Sequence, residues 1–171
     1  NMATDRWRNN FLGHIRFDGR QLNTPKEIKR AVESHFSNFF KKTPGPFFSC
    51  DNLPLKRISH GEADFLEASF TEEEVWEAVA SCDGDKSPGP DGFNFSFFKS
   101  KWDLIRKDIM DFMFEFYDSG TLSRGISTSF IALIAKKHCP ESLLDFRPIS
   151  LISSLYKILA KVLAKRLKQV I

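Results

Sequence analysis

The sequence predicts an α+β fold, mainly helical with one small antiparallel β-hairpin. Apolar residues recur at helical spacing through most of the chain, and the period changes only in two short, neighbouring runs rich in β-branched residues. Clusters of Pro and Gly between the periodic stretches mark where elements stop.

The first helix is expected to start at Thr24-Pro25, a hydroxyl N-cap before a proline at the first helical position, with Glu27 in the first turn. Ile28, Ala31, Val32, Phe36, Phe39 and Phe40 then hold one face to about Lys42. Residues 43–60 hold no period and read as a linker. Thr71-Glu-Glu-Glu74 reads as a capping box, with Phe70 and Val75 placed for a hydrophobic staple. Val75, Val79 and Cys82 form the buried stripe of that helix, and Asp83-Gly84 stops it. Residues 84–93 must be a loop, because two prolines and three glycines suit neither helix nor ladder.

A further helix turns Ile105, Ile109, Phe112, Met113 and Phe116 inward and closes at Gly120. Ser127–Ala135 and Phe146–Ile152 read as two strands, with Pro148 suiting an edge or a bulge. From Ser153 the chain is expected to be helical to its end. Leu155, Ile158, Leu159, Val162, Leu163, Leu167 and Val170 make one face, and Lys157, Lys161, Lys165 and Lys168 the opposite one.

Composition bounds the function. Hydrophobic residues at 42% and charged residues at 27% fit a chain with a real core, not a disordered one. No stretch approaches the roughly 20 apolar residues of a membrane span, so no membrane partner is expected. The three cysteines, Cys50, Cys82 and Cys139, form no Cys-x-x-Cys pair. Ordinary thiols in a reducing nuclear or cytoplasmic compartment are expected, with neither a disulfide framework nor a zinc site. Gly84 and Gly89 have P-loop spacing, but Pro90-Asp91 stand where Lys-Ser/Thr must follow. A calcium loop begun at Asp83 fails because Pro88 takes the place of the turning glycine.

The net charge of +3 hides a segregation. Residues 136–171 carry eight bases against Glu141 and Asp145, whereas Glu62 to Glu77 hold seven carboxylates and no base. A basic end points to a polyanion or to a solvated lysine face. If the two strands pair as a hairpin, Lys136, Lys137 and Arg147 meet at its mouth. A guanidinium grips two phosphate oxygens and a lysine adds a movable charge. The alternative for Arg147 is an ion pair with Asp145 or with the acidic helix.

Lys86-Ser-Pro-Gly-Pro-Asp-Gly92, then Phe146-Arg-Pro-Ile-Ser-Leu151 and Tyr156-Lys157-Ile158, resembles the start of the reverse-transcriptase domain of LINE-type non-LTR retrotransposons, especially plant ones. Phe130–Lys136 is similar to the family's apolar strand ending in Ile-Pro-Lys, with Ala135 in place of the proline. Ser127 and Ser129 stand where the family has Asn-x-Thr. Leu163-Ala-Lys-Arg-Leu167 is similar to the helix that follows.

The resemblance implies that residues 65–171 are the N-terminal fingers of a right-hand polymerase, truncated before the palm, and residues 1–64 a helical segment preceding it. It implies that Lys136 or Lys137, with Arg147, face a nucleotide triphosphate. It also implies that Lys86, Ser87, Gly89 and Asp91 lie against the template. The basic excess adds Lys157, Lys161, Lys165 and Lys168 of the last helix as weak, non-specific contacts to RNA or DNA. The family's catalytic aspartates fall after Ile171, so the chain is expected to be inactive alone. No cofactor is expected in this chain, magnesium being required by the complete enzyme. Two rivals remain open at this point: a stand-alone basic nucleic-acid-binding module, and a helical protein that docks a partner through its last helix.

Overall fold

The structure, a computed structural model, describes residues 13–41 and 57–171, together with Gly45 and Pro54. Most of the expected linker, and Cys50 with it, lies outside the described residues. The fold is α+β, about 52% helical with two small antiparallel sheets, one more than the sequence reading expected. The chain divides into two compact units, residues 1–53 with 131–149, and residues 54–130 with 150–171.

In the first unit, β1 (Ile15–Phe17) and β2 (Arg20–Leu22) pair as Ile15↔Leu22, Arg16↔Gln21 and Phe17↔Arg20. Asp18 and Gly19 supply their turn at φ 48° and 75°. Two successive left-handed residues match the right-handed twist of a hairpin, and Asp-Gly is a favoured pair there. Helix α1 (Pro25–Phe39) starts as expected, with Thr24 Oγ1 accepting from the Glu27 N–H, and ends three residues earlier than Lys42.

β3 (Ser129–Ala135) and β4 (Phe146–Ile152) form the second hairpin. β3 starts two residues later than expected because the Ser127 and Thr128 hydroxyls donate to the Arg124 carbonyl and hold the chain in a turn. In a two-stranded sheet each strand is an edge, so Pro148 needs no ladder bond on its outer side. Between the strands, Leu143–Asp145 make one 3-10 turn. Ile15, Ile28, Leu143 and Phe146 are the buried centre, with Leu22, Val32 and Leu133 packed around them.

In the second unit, α2 (His60–Glu67) is a helix the sequence reading missed. Ser59 and Glu62 form a reciprocal capping box: Ser59 Oγ accepts from the Glu62 N–H, and Glu62 Oε2 from the Ser59 N–H at 2.6 Å. Helix α3 (Glu72–Ala80) starts at Thr71 as expected, Thr71 Oγ1 accepting from the Glu74 N–H at 3.3 Å. Only that half of the expected box is present, because both Glu74 carboxylate oxygens accept from Arg166 instead. A charge-assisted fork outcompetes a neutral amide.

Asn94 caps α4 (Phe95–Ser100), and Gly120 at φ 63° closes α5 (Trp102–Ser119). Ser153 caps α6 (Ser154–Val170). Val75, Val79, Met113, Ile158 and Val162 are fully buried. Each contributes roughly 1.5–3 kcal/mol relative to exposure. The inward face of α6 departs from expectation: Leu163 and Leu167 are 37% and 48% exposed, while Arg166 is 4% exposed. Ile158, Leu159, Val162 and Arg166 lie at steps of one, three and four, so the buried stripe leads onto Arg166 rather than onto the leucines.

Candidate nucleic-acid interface

The β3–β4 hairpin brings Lys136 and Lys137 onto one short turn. The Lys136 backbone N–H donates to the Asp145 carbonyl at 2.8 Å, and Lys136 Nζ to the Leu144 carbonyl at 2.7 Å. Lys137 Nζ pairs with Asp145 Oδ1 at 3.0 Å. The hydrogen bond from Lys137, with the Ser142 and Glu141 amides, holds the Asp145 carboxyl down at a pKa of about 2. Asp145 is therefore already committed to its neighbours. Arg147, one residue into β4, is exposed, and its side chain has neither a hydrogen bond nor an ion pair among the described residues. The two routes open to Arg147 are thereby separated: its carboxylate rival pairs with Lys137. An exposed guanidinium whose side chain has no internal partner can accept a phosphate without first breaking an internal bond.

In the second unit, the loop from Lys86 to Gly92 splits into an open part and a structural part. Lys86 faces solvent with a weak 3.4 Å pairing to Asp83, and Ser87 is exposed. At Gly89 an added Cβ would stand 2.2 Å from the Ile152 carbonyl oxygen. Only a residue without a side chain lets these backbones pass so closely. Asp91 Oδ2 accepts from the Ser154 N–H at 2.5 Å, and the Ser154 hydroxyl donates to the Phe93 carbonyl at 2.8 Å. A carboxylate at the first amide of α6 suits the positive end of that helix. Gly89 and Asp91 thus tie the loop to the start of α6.

The four lysines of α6 are not equivalent. Lys165 is held by Glu77, and Lys161 Nζ lies 3.5 Å from Cys82 Sγ. Lys157 is half-buried and Lys168 is exposed, neither with an ion-pair partner among the described residues. The expected stripe is therefore partly neutralised by α3.

Arg166 stands out in the sequence only as part of the basic excess. Its Nε and Nη2 donate to the two Glu74 oxygens at 2.6 and 2.8 Å, and its Nη groups also reach the Leu66, Ala68 and Ser69 carbonyls. The guanidinium lies 4.7 Å from the centre of the Phe70 ring. The partners lie 92 residues apart, so no local pattern could reveal the pair.

Cys82 and Cys139 are free thiols. Among the described residues no cluster of three or more His, Cys, Asp or Glu could hold a metal ion, and no helix is long and apolar enough to cross a membrane.

No family model matches the chain. Over 156 residues, 90% of its length, it is 31% identical to the "Transposon TX1 uncharacterized 149 kDa protein" of Xenopus laevis. The chain spans only 12% of that relative. By sequence it is related to a transposon protein over a small part of that protein's length.

Proposed function

We propose that the chain is the N-terminal fingers part of the reverse transcriptase of a LINE-type non-LTR retrotransposon, supplying nucleotide-phosphate and template contacts. The observation that carries this reading is the open guanidinium of Arg147, with Asp145 already paired to Lys137. The ordered motifs at 86–92, 146–151 and 156–158 support it, as does the similarity to a transposon protein. Arg147 would hold triphosphate oxygens in a fork, with Lys136 and Lys137 adding charge. Lys86, Ser87 and Lys168 would touch the nucleic-acid backbone. Residues 1–171 contain no Tyr-x-Asp-Asp. The carboxylates that hold the catalytic magnesium would come from the palm of a complete enzyme, and phosphoryl transfer needs them.

The test is an amide NMR titration of the chain with inorganic tripolyphosphate. Shifts should concentrate on Lys136, Lys137, Asp145 and Arg147, and Arg147→Ala should abolish them. Shifts confined to α6, or unaffected by that substitution, would remove the hairpin from the nucleotide site.

A further inference from the structure

We infer that the C-terminal end of α1, with the β1–β2 hairpin, is a stacking site for single-stranded nucleic acid, built from residues other than the β3–β4 cations. The helix ends in Phe36-Ser-Asn-Phe39-Phe40-Lys41. Phe36 is buried, whereas Phe39 and Phe40 are 67% and 57% exposed. Single exposed apolar residues are ordinary on any surface. These two rings differ because other rings brace them. His35 lies parallel to Phe39 with centroids 6.5 Å apart, and meets Phe17 of β1 edge-on at 6.4 Å. Buried Phe36 stacks on Phe40 at 6.2 Å, and Phe39 and Phe40 stand perpendicular at 5.1 Å. The rings are held before any ligand arrives, which lowers the cost of ordering them on binding.

Cations border the rings. The hairpin register sets Arg20 opposite Phe17, and Lys41 follows Phe40. Neither Arg20 nor Lys41 has an ion-pair partner among the described residues. Open aromatic faces beside unpaired cations are the two requirements of sequence-tolerant single-strand binding: bases stack and phosphates are neutralised. A duplex offers no free base faces, and an apolar protein partner would leave both cations unmatched.

The test measures fluorescence anisotropy of labelled 12-nucleotide oligo-U, oligo-dT and a duplex with the full chain. Phe39→Ala and Phe40→Ala should each weaken both single strands by roughly fivefold or more and leave the duplex unchanged. Phe39→Trp, which keeps a stacking face, should restore affinity and shows that the weakening in the alanine variant is not misfolding. Arg20→Gln with Lys41→Gln should flatten the salt slope by about 0.7 for each cation removed. Arg147→Ala is read in the tripolyphosphate titration and the ring variants in the anisotropy assay, so this inference and the triphosphate reading fail separately. Equal weakening on strand and duplex, no weakening at all, or a defect that tryptophan does not repair would overturn it. So would ring substitutions that alter only self-association, which would assign the rings to a protein interface.

Discussion

Arg166→Ala should cost about 3–5 kcal/mol, a large share of the roughly 5–15 kcal/mol that holds a typical domain together. The guanidinium side chain is 5% exposed and its partner Glu74 18%, so solvent cannot replace the missing partner. The substitution strands a carboxylate and removes the donor to the Leu66, Ala68 and Ser69 carbonyls, at the end of α2 and in the α2–α3 connection. It also takes away the cation above the Phe70 ring. Arg166→Lys keeps the charge but not the fork, and an intermediate cost is expected. Urea unfolding followed by circular dichroism gives the cost, with an unchanged m-value showing that stability and not compactness has moved. Glu74→Ala and the double variant complete a cycle, whose coupling should lie toward the upper end of about 0.5–3 kcal/mol. A cost below about 1 kcal/mol for Arg166→Ala, or strictly additive costs, would show that the buried pair does not hold α3 to α6.

Other outcomes follow from separate parts of the fold. Gly89→Ala should destabilise by about 1–3 kcal/mol, because its Cβ would overlap the Ile152 carbonyl; an unchanged unfolding midpoint would refute that packing. Asp145 has a folded pKa of about 2, below its ordinary 3.8, so its contribution is complete above about pH 4 and is lost as the pH falls toward 2. Lys137→Met should raise that pKa in a carboxyl NMR titration, and no movement would mean the amides alone depress it. Thr71→Ala should cost about 0.5–2 kcal/mol through removal of the cap, read as a drop in melting temperature. In nucleic-acid binding at varied salt, Lys168→Gln should reduce the slope by about one unit, whereas Lys165→Gln should leave it alone because Glu77 already holds that lysine. Equal effects would mean that the Lys165–Glu77 pair opens on binding.

The sequence reveals helices where local chemistry marks their ends. Thr24-Pro25, Thr71, Gly120 and Ser153 all stand at observed termini. The Ser59–Glu62 box is equally visible, yet it escapes a reading by period because α2 buries no residue fully and so shows little apolar repeat. The Asp18-Gly19 turn escapes for a similar reason, its strands being three residues each. The role of Arg166 is illegible because it depends on Glu74 meeting it across the fold. Charge counting makes all eight late bases look available, and pairing shows that Lys137, Lys165 and Arg166 are bound to carboxylates of the same chain. Gly89 and Asp91 are legible as a motif, but only the structure shows that both are bonded or packed against the β4–α6 junction.

The interleaving of the two compact units sets a constraint on synthesis. Each joins an early stretch of chain to a late one, and Glu74 waits 92 residues for Arg166. At about 5–20 residues per second, the ribosome would leave α3 without α6 for roughly 5–20 s. During that interval Val75 and Val79 lack the partners Ile158 and Val162 that later cover them. Pairings this distant in sequence also slow folding, since loop closure comes before any gain from packing. The first unit has the same dependence, because β1 and α1 share their core with Leu143 and Phe146. A nascent chain halted near Gly120 would therefore hold two half-cores and complete neither, which makes it a substrate for chaperones rather than a stable intermediate.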